Sequence, residues 1–143
     1  MSGIIRVEVT LKELFCGNVD GDPGNNLEIK GHLFALVYNV RTHQERNRTV
    51  LFHPRSGYVT IRQHKSFPVN QRVTFELREE AEYLHIGGQL IEDDDFPNPD
   101  DNMGQHWEKI ARGQIGGANP RERKIWFSSG NEHVAAIYDL KKI

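Results

Sequence analysis

The sequence predicts an all-β fold of about eight antiparallel strands, as a β-sandwich or a closed barrel. Three observations lead there. Apolar residues recur at every second position, Gly/Pro/Asn/Asp clusters separate the runs, and helical periodicity is nearly absent. The 143 residues suit one domain spanning 1–143.

The elements follow in chain order. Ile5, Val7, Val9 and Leu11 alternate with Arg6, Glu8, Thr10 and Lys12, the pattern of a half-buried strand. Leu27 to Asn39 reads as a second strand, apolar on both faces between Leu33 and Tyr38. Thr49–Phe52 and Tyr58–Arg62 are short strands around the turn signal His53-Pro54-Arg55-Ser56-Gly57. Val73, Phe75 and Leu77 alternate with polar residues. Leu84 to Ile91 makes a further strand, with a bulge expected at Gly87-Gly88. Lys124–Phe127 and His133–Leu140 form a closing hairpin around Ser129-Gly130-Asn131. Gln105 to Arg112 is the one candidate for a helical turn or two, and 113–120 reads as a Gly-rich loop.

Composition narrows the function classes. The chain is 37% hydrophobic and 27% charged, with net charge −2, an ordinary soluble balance. No apolar run reaches the roughly 20 residues of a membrane span, so any membrane association is expected to be peripheral. The N-terminus lacks a leader pattern, and with a single cysteine this favours a cytoplasmic setting. That cysteine, Cys16, allows no internal disulfide and reads as a small buried hydrophobe. Charge is segregated: 41–72 holds seven Arg or Lys against one acid, whereas 79–101 holds nine acids and no Lys or Arg.

The densest chemistry lies in Glu92-Asp93-Asp94-Asp95-Phe96-Pro97-Asn98-Pro99-Asp100-Asp101, six carboxylates in ten residues directly after an apolar strand. Like charges so crowded repel, and a hard cation such as Ca²⁺, which takes six to eight oxygens, offsets them. Positions two apart in an extended segment point the same way, so Asp93 and Asp95 can share an ion, and the Pro-rich turn can return Asp101 to it. A solvated acidic turn is the plain alternative. The 18–26 segment, with Asp20, Asp22, Asn25 and Asn26, is also rich in oxygen ligands, and an ordinary tight loop is the better reading of it alone. Neither segment is an EF-hand, because the twelfth positions are Gly104 and Ile29. The seven histidines show no zinc spacing, and the serines no nucleophile elbow. With no dinucleotide or Walker pattern either, the sequence points away from an enzyme. The basic stretch suits anionic headgroups, and its few aromatics argue against nucleic acid. Core packing is favoured over interfacial anchoring for Trp107 and Trp126.

The segment Leu84 to Gly104 resembles the C2 domain family. In that family an apolar strand leads into Asp-x-Asp-x5-Asp-x-(Ile/Met)-Gly, and here Asp93-x-Asp95-x5-Asp101-Asn102-Met103-Gly104 fits it. The resemblance implies an eight-stranded antiparallel β-sandwich, C2-like, with Ca²⁺ as cofactor. It implies Asp93, Asp95 and Asp101 as ligands, with Asn98 where a further ligand often sits. The family's first loop uses two Asp six residues apart; here Asp20 is followed at that spacing by Asn26, with Asp22 and Glu28 as the alternative register. Arg46, Arg48, Arg62 and Lys65 resemble the family's polybasic patch. The implied function is Ca²⁺-dependent docking to anionic phospholipid or to a protein partner. Two alternatives stay open, a carbohydrate-binding sandwich with calcium and an assembly module of a larger particle or toxin.

Overall fold

Backbone groups of an extended chain need partners on both sides, and the alternating runs find them in two facing antiparallel sheets. A computed structural model describes residues 3–19, 26–55, 57–93 and 100–143, with Asn18 and Val19 described in backbone only. Nine strands occur among the described residues: β1 (Ile5–Val19), β2 (Asn26–Asn39), β3 (Gln44–Phe52), β4 (Val59–Arg62), β5 (Ser66–Leu77), β6 (Glu82–Glu92), β7 (Asp101–Ile110), β8 (Arg121–Ser129) and β9 (Glu132–Lys142). One sheet has the order β5-β1-β9-β8 and the other β3-β2-β6-β7, with β4 also on β2. β4 pairs with the first residues of β2, Asn26 to Ile29, and β3 with Leu33 to Asn39, so the two short strands share one edge.

The expected sandwich is present, with one strand more than the sequence suggests. The extra strand is β7, where a helical turn was expected at 105–112; only Arg112–Gln114 is helical, as a single 3-10 turn. A helix that short gains little from its own hydrogen bonds, whereas the edge of β6 offers partners from Leu84↔Ile110 to Glu92↔Asp101. The expected bulge also moves. β2 and β6 stay in register through Leu33↔Gly88 and Phe34↔Gly87, and the shift falls on the β7 side, between Gln89 and Ile91.

The core is built from the inward phase of each strand. Val7, Val9, Leu11, Leu14 and Cys16 of β1 face Leu27, Ile29, Leu33, Ala35 and Val37 of β2, with Leu84, Ile86, Leu90, Val134, Ala136 and Leu140 filling between. Tyr138 is the largest fully buried side chain. Its hydroxyl donates to the Phe34 carbonyl at 3.2 Å, which ties one sheet to the other. Burial raises its pKa, so it stays a donor.

Neither tryptophan belongs to this core, contrary to the expectation from sequence. Phe34 and Trp107 both pair with Gly87, one from each side, and stand on the outer face of their sheet. With no side chain between them, their rings stack at 5.7 Å and 8°. The stack continues to His32 and His53 on one side, and His85 and Tyr38 lie on the other. The Arg48 guanidinium lies over both Phe34 (4.7 Å) and Trp107 (5.4 Å). Trp126 is 48% exposed on the outer face of the opposite sheet, against Gly17.

Candidate functional site: an acidic strand end

Four chain segments meet at one end of the sandwich. β1 ends and β9 begins there, as Val19↔Glu132, and β6 ends against the start of β7, as Glu92↔Asp101. β2 begins there, with Asn26↔Arg62 at the end of β4. The turn from β4 to β5 is stapled to β1 by His64 N–H to Cys16 O (2.7 Å) and Cys16 N–H to Lys65 O (3.0 Å).

The inward stripe of β6, Leu84, Ile86 and Leu90, continues in phase to a carboxylate, Glu92. Asp101 opposes it across the β6–β7 pair, and Glu132 comes from the other sheet. Carboxylate oxygens of the three lie within 4.8 Å of one another. Glu92 is 2% exposed and Glu132 7%, while Asp101 is half-buried. Gathering like charges out of water is unfavourable, and more so as the local dielectric falls. Two oxygens on one Ca²⁺ at 2.3–2.6 Å lie no more than about 5 Å apart, so the spacing fits that ion. A second observation agrees: Asn26 Oδ1, at the same end, is a buried acceptor without a hydrogen-bond partner among the described residues.

The third buried acid, Glu82, shows how the protein neutralises a lone one. It ends the same inward stripe at the opposite pole. Arg46 holds it by Nε (3.1 Å) and Nη2 (2.9 Å), and the Arg78 N–H donates to it at 2.6 Å. The Arg46 hydrogen bonds, then the backbone donor, keep the carboxyl below the usual range against the opposing effect of burial.

A different cation serves the outward side of the acidic end. Lys30 Nζ lies 2.6 Å from Asp100 Oδ2 and 3.7 Å from Asp93 Oδ1. The hydrogen bond it donates to Asp100 chiefly raises the Lys30 pKa. Partial burial, then the neighbouring Asp100 carboxyl, push Asp93 upward despite Lys30. The Asp93 N–H donates to Glu28 O at 2.7 Å, and Asn102 Oδ1 accepts from the Gly104 N–H at 2.9 Å.

No protein-family model matches the sequence, and no curated protein matches it. Among solved structures, the chain is similar to a C2 domain of plant extended synaptotagmin 1, at 9% identity and TM-score 0.52, covering 99% of this chain and 96% of that one. The fold is C2-like. The C2-like domain also superposes on part of human GIVD cytosolic phospholipase A2 (10% identity, TM-score 0.52) and part of CC2D1B (7%, 0.52), covering 99% and 96% of this chain. It spans only 16% and 54% of those two chains.

Within the C2-like domain, the residues expected from sequence separate. Asp101 joins Glu92 and Glu132, and Asp93 joins Asp100 through Lys30. Asn26 lies at the same end. Asp20, Asp95 and Asn98 lie outside the described residues. Of the basic residues, Arg62 and Lys65 flank the turn at the acidic end and share a surface pocket of about 280 Å³. Arg46 is held by Glu82, and Arg48 is bound to Glu45 (2.9 Å) beneath its aromatic contacts. Glu132 and Lys30 escaped the sequence reading. Glu92 was counted there among the six crowded carboxylates but not as a ligand, although its phase with Leu84, Ile86 and Leu90 marks it as inward.

Proposed function

We propose that this C2-like domain is a non-catalytic docking module whose acidic end takes Ca²⁺ and engages anionic phospholipid headgroups. The observation that carries it is the convergence of Glu92, Asp101 and Glu132 from two sheets, at the end that also bears Arg62 and Lys65. Glu92, Asp101 and Glu132 would hold the ion, with Asp101 the least buried of the three. Ca²⁺ bound there supplies positive charge and coordination sites for phosphate oxygens. Arg62 and Lys65 add attraction of about 1 kcal/mol each near an anionic surface, weakened by salt.

The test has two stages. Ca²⁺ at about 100 times its dissociation constant adds about 2.7 kcal/mol of stability, which moves the melting temperature upward by several degrees. Glu92→Gln is expected to remove that shift, with chelator as the reference. Phosphatidylserine vesicles should then sediment the wild type in Ca²⁺ and not in chelator, and Arg62→Glu with Lys65→Glu should lower the bound fraction. A melt indifferent to millimolar Ca²⁺ would sink the ion site.

A second reading is favoured by Lys30, which already neutralises Asp93 and Asp100. In it the acidic end is a calcium-independent contact for a protein partner. Vesicle binding absent at every Ca²⁺ concentration, with self-association unchanged by chelator, would support this assembly role.

A further inference from the structure

The two sheets do not close equally on both flanks. β7 and β8 lie side by side on one flank. On the other, β5 edges its sheet and β3 with β4 edge the facing one, so two strand edges confront each other unpaired among the described residues. Between them runs an open groove of about 470 Å³. Its apolar lining includes Val50, 51% exposed, the half-buried Val59, Phe67 and Val69, and at its floor the buried Phe52. Arg55 and His53 stand on its rim, both exposed, and none of the lining residues among those described is acidic. Of the seven cations in the 41–72 segment, Arg55 is the one that lines the groove.

From this we infer that the flank between β3–β4 and β5 is a docking groove for an extended acidic peptide segment with apolar residues at alternate positions. In an extended segment successive side chains point to opposite sides. Every second residue can then enter the Val/Phe lining, leaving the acids at the rim beside Arg55 and His53. Charge complementarity selects an acidic partner over a basic one. A second copy of this chain fits less well. Pro68 removes a donor from β5, and Asn70 takes a left-handed turn (φ 54°), two devices that keep this edge from fusing with another sheet. The site is distinct from the acidic end and does not depend on the reading proposed for it.

The experiment uses the full chain and a fluorescein-labelled dodecapeptide alternating Glu and Val, with an alternating Lys and Val peptide as the charge-reversed control. Anisotropy should report binding of the acidic peptide alone, unchanged by chelator and weakened by salt. Val50→Glu and Val69→Glu should each weaken it about tenfold, the scale of one lost apolar contact plus a like charge. Arg55→Glu, at an exposed position that leaves folding intact, should weaken it severalfold. Equal binding of both peptides, or unchanged affinity in Val50→Glu and Arg55→Glu, overturns the inference. So does a groove that instead binds phosphatidylserine vesicles, shown by vesicle binding lost in Val50→Glu while peptide binding persists. Failure at the acidic end would show as lost Ca²⁺ response with peptide binding intact.

Discussion

Gly87→Ala is expected to destabilise the domain by about 4 kcal/mol, with a loss of melting temperature of roughly 12 °C. Gly87 has φ +138°, a conformation that residues with a Cβ rarely adopt. The added Cβ would overlap the carbonyl oxygen of His106 and press on Trp107 Cα at 2.8 Å. Both are backbone of the neighbouring strand, so no side-chain rotation relieves the clash. The whole stability of a single domain is about 5–15 kcal/mol, so the loss takes a large fraction of it. Urea denaturation checks the value, with Gly113→Ala as control. Gly113 has open space around its missing Cβ, and its variant should stay within about 0.5 kcal/mol of wild type. A Gly87→Ala midpoint equal to wild type would mean that the strand pairing at β6 is not as described.

Arg46→Met comes second, at about 3 kcal/mol, because it leaves Glu82 buried without its cation. The Arg46 Nη2 bond to the Glu76 carbonyl (2.5 Å) goes with it. The double variant Arg46→Met with Glu82→Gln should recover most of the loss, since the penalty belongs to the stranded charge. The pair also sets a pH dependence. The carboxyl of Glu82 titrates lower in the folded protein than its ordinary 4.5, so its stabilisation is complete above that value and disappears as pH falls through the folded pKa. Melts between neutral pH and about pH 3 should therefore show a shallower acid loss in Glu82→Gln than in wild type. Parallel curves for the two proteins would count against the ion pair. Arg46→Met should also leave vesicle binding, per folded molecule, close to wild type, because its guanidinium is already engaged.

These residues mark where sequence pattern was enough and where it was not. Period-two alternation in β1, β2 and β5 determined the strands, because a half-buried strand must present alternate residues to the core. The turn clusters determined that the order was antiparallel, and the six carboxylates marked the acidic end before any strand was placed. β7 was not legible in this way. Its inward residues are out of step across a register shift, and its stability comes from the edge of β6 rather than from its own pattern. The same holds for the tryptophans, whose size suggested the core while pairing to Gly87 placed Trp107 outside it.

The sequence by itself determined the all-β class, the separation of basic and acidic segments, and the crowding of carboxylates directly after β6. Only the tertiary structure decided which charges meet. Glu132 lies 40 positions beyond Glu92 and on the facing sheet, Lys30 reaches the acids from β2, and Arg46 turns inward to Glu82. Such pairs are set by register between distant strands, and a linear pattern records which face a side chain takes but not what stands opposite it.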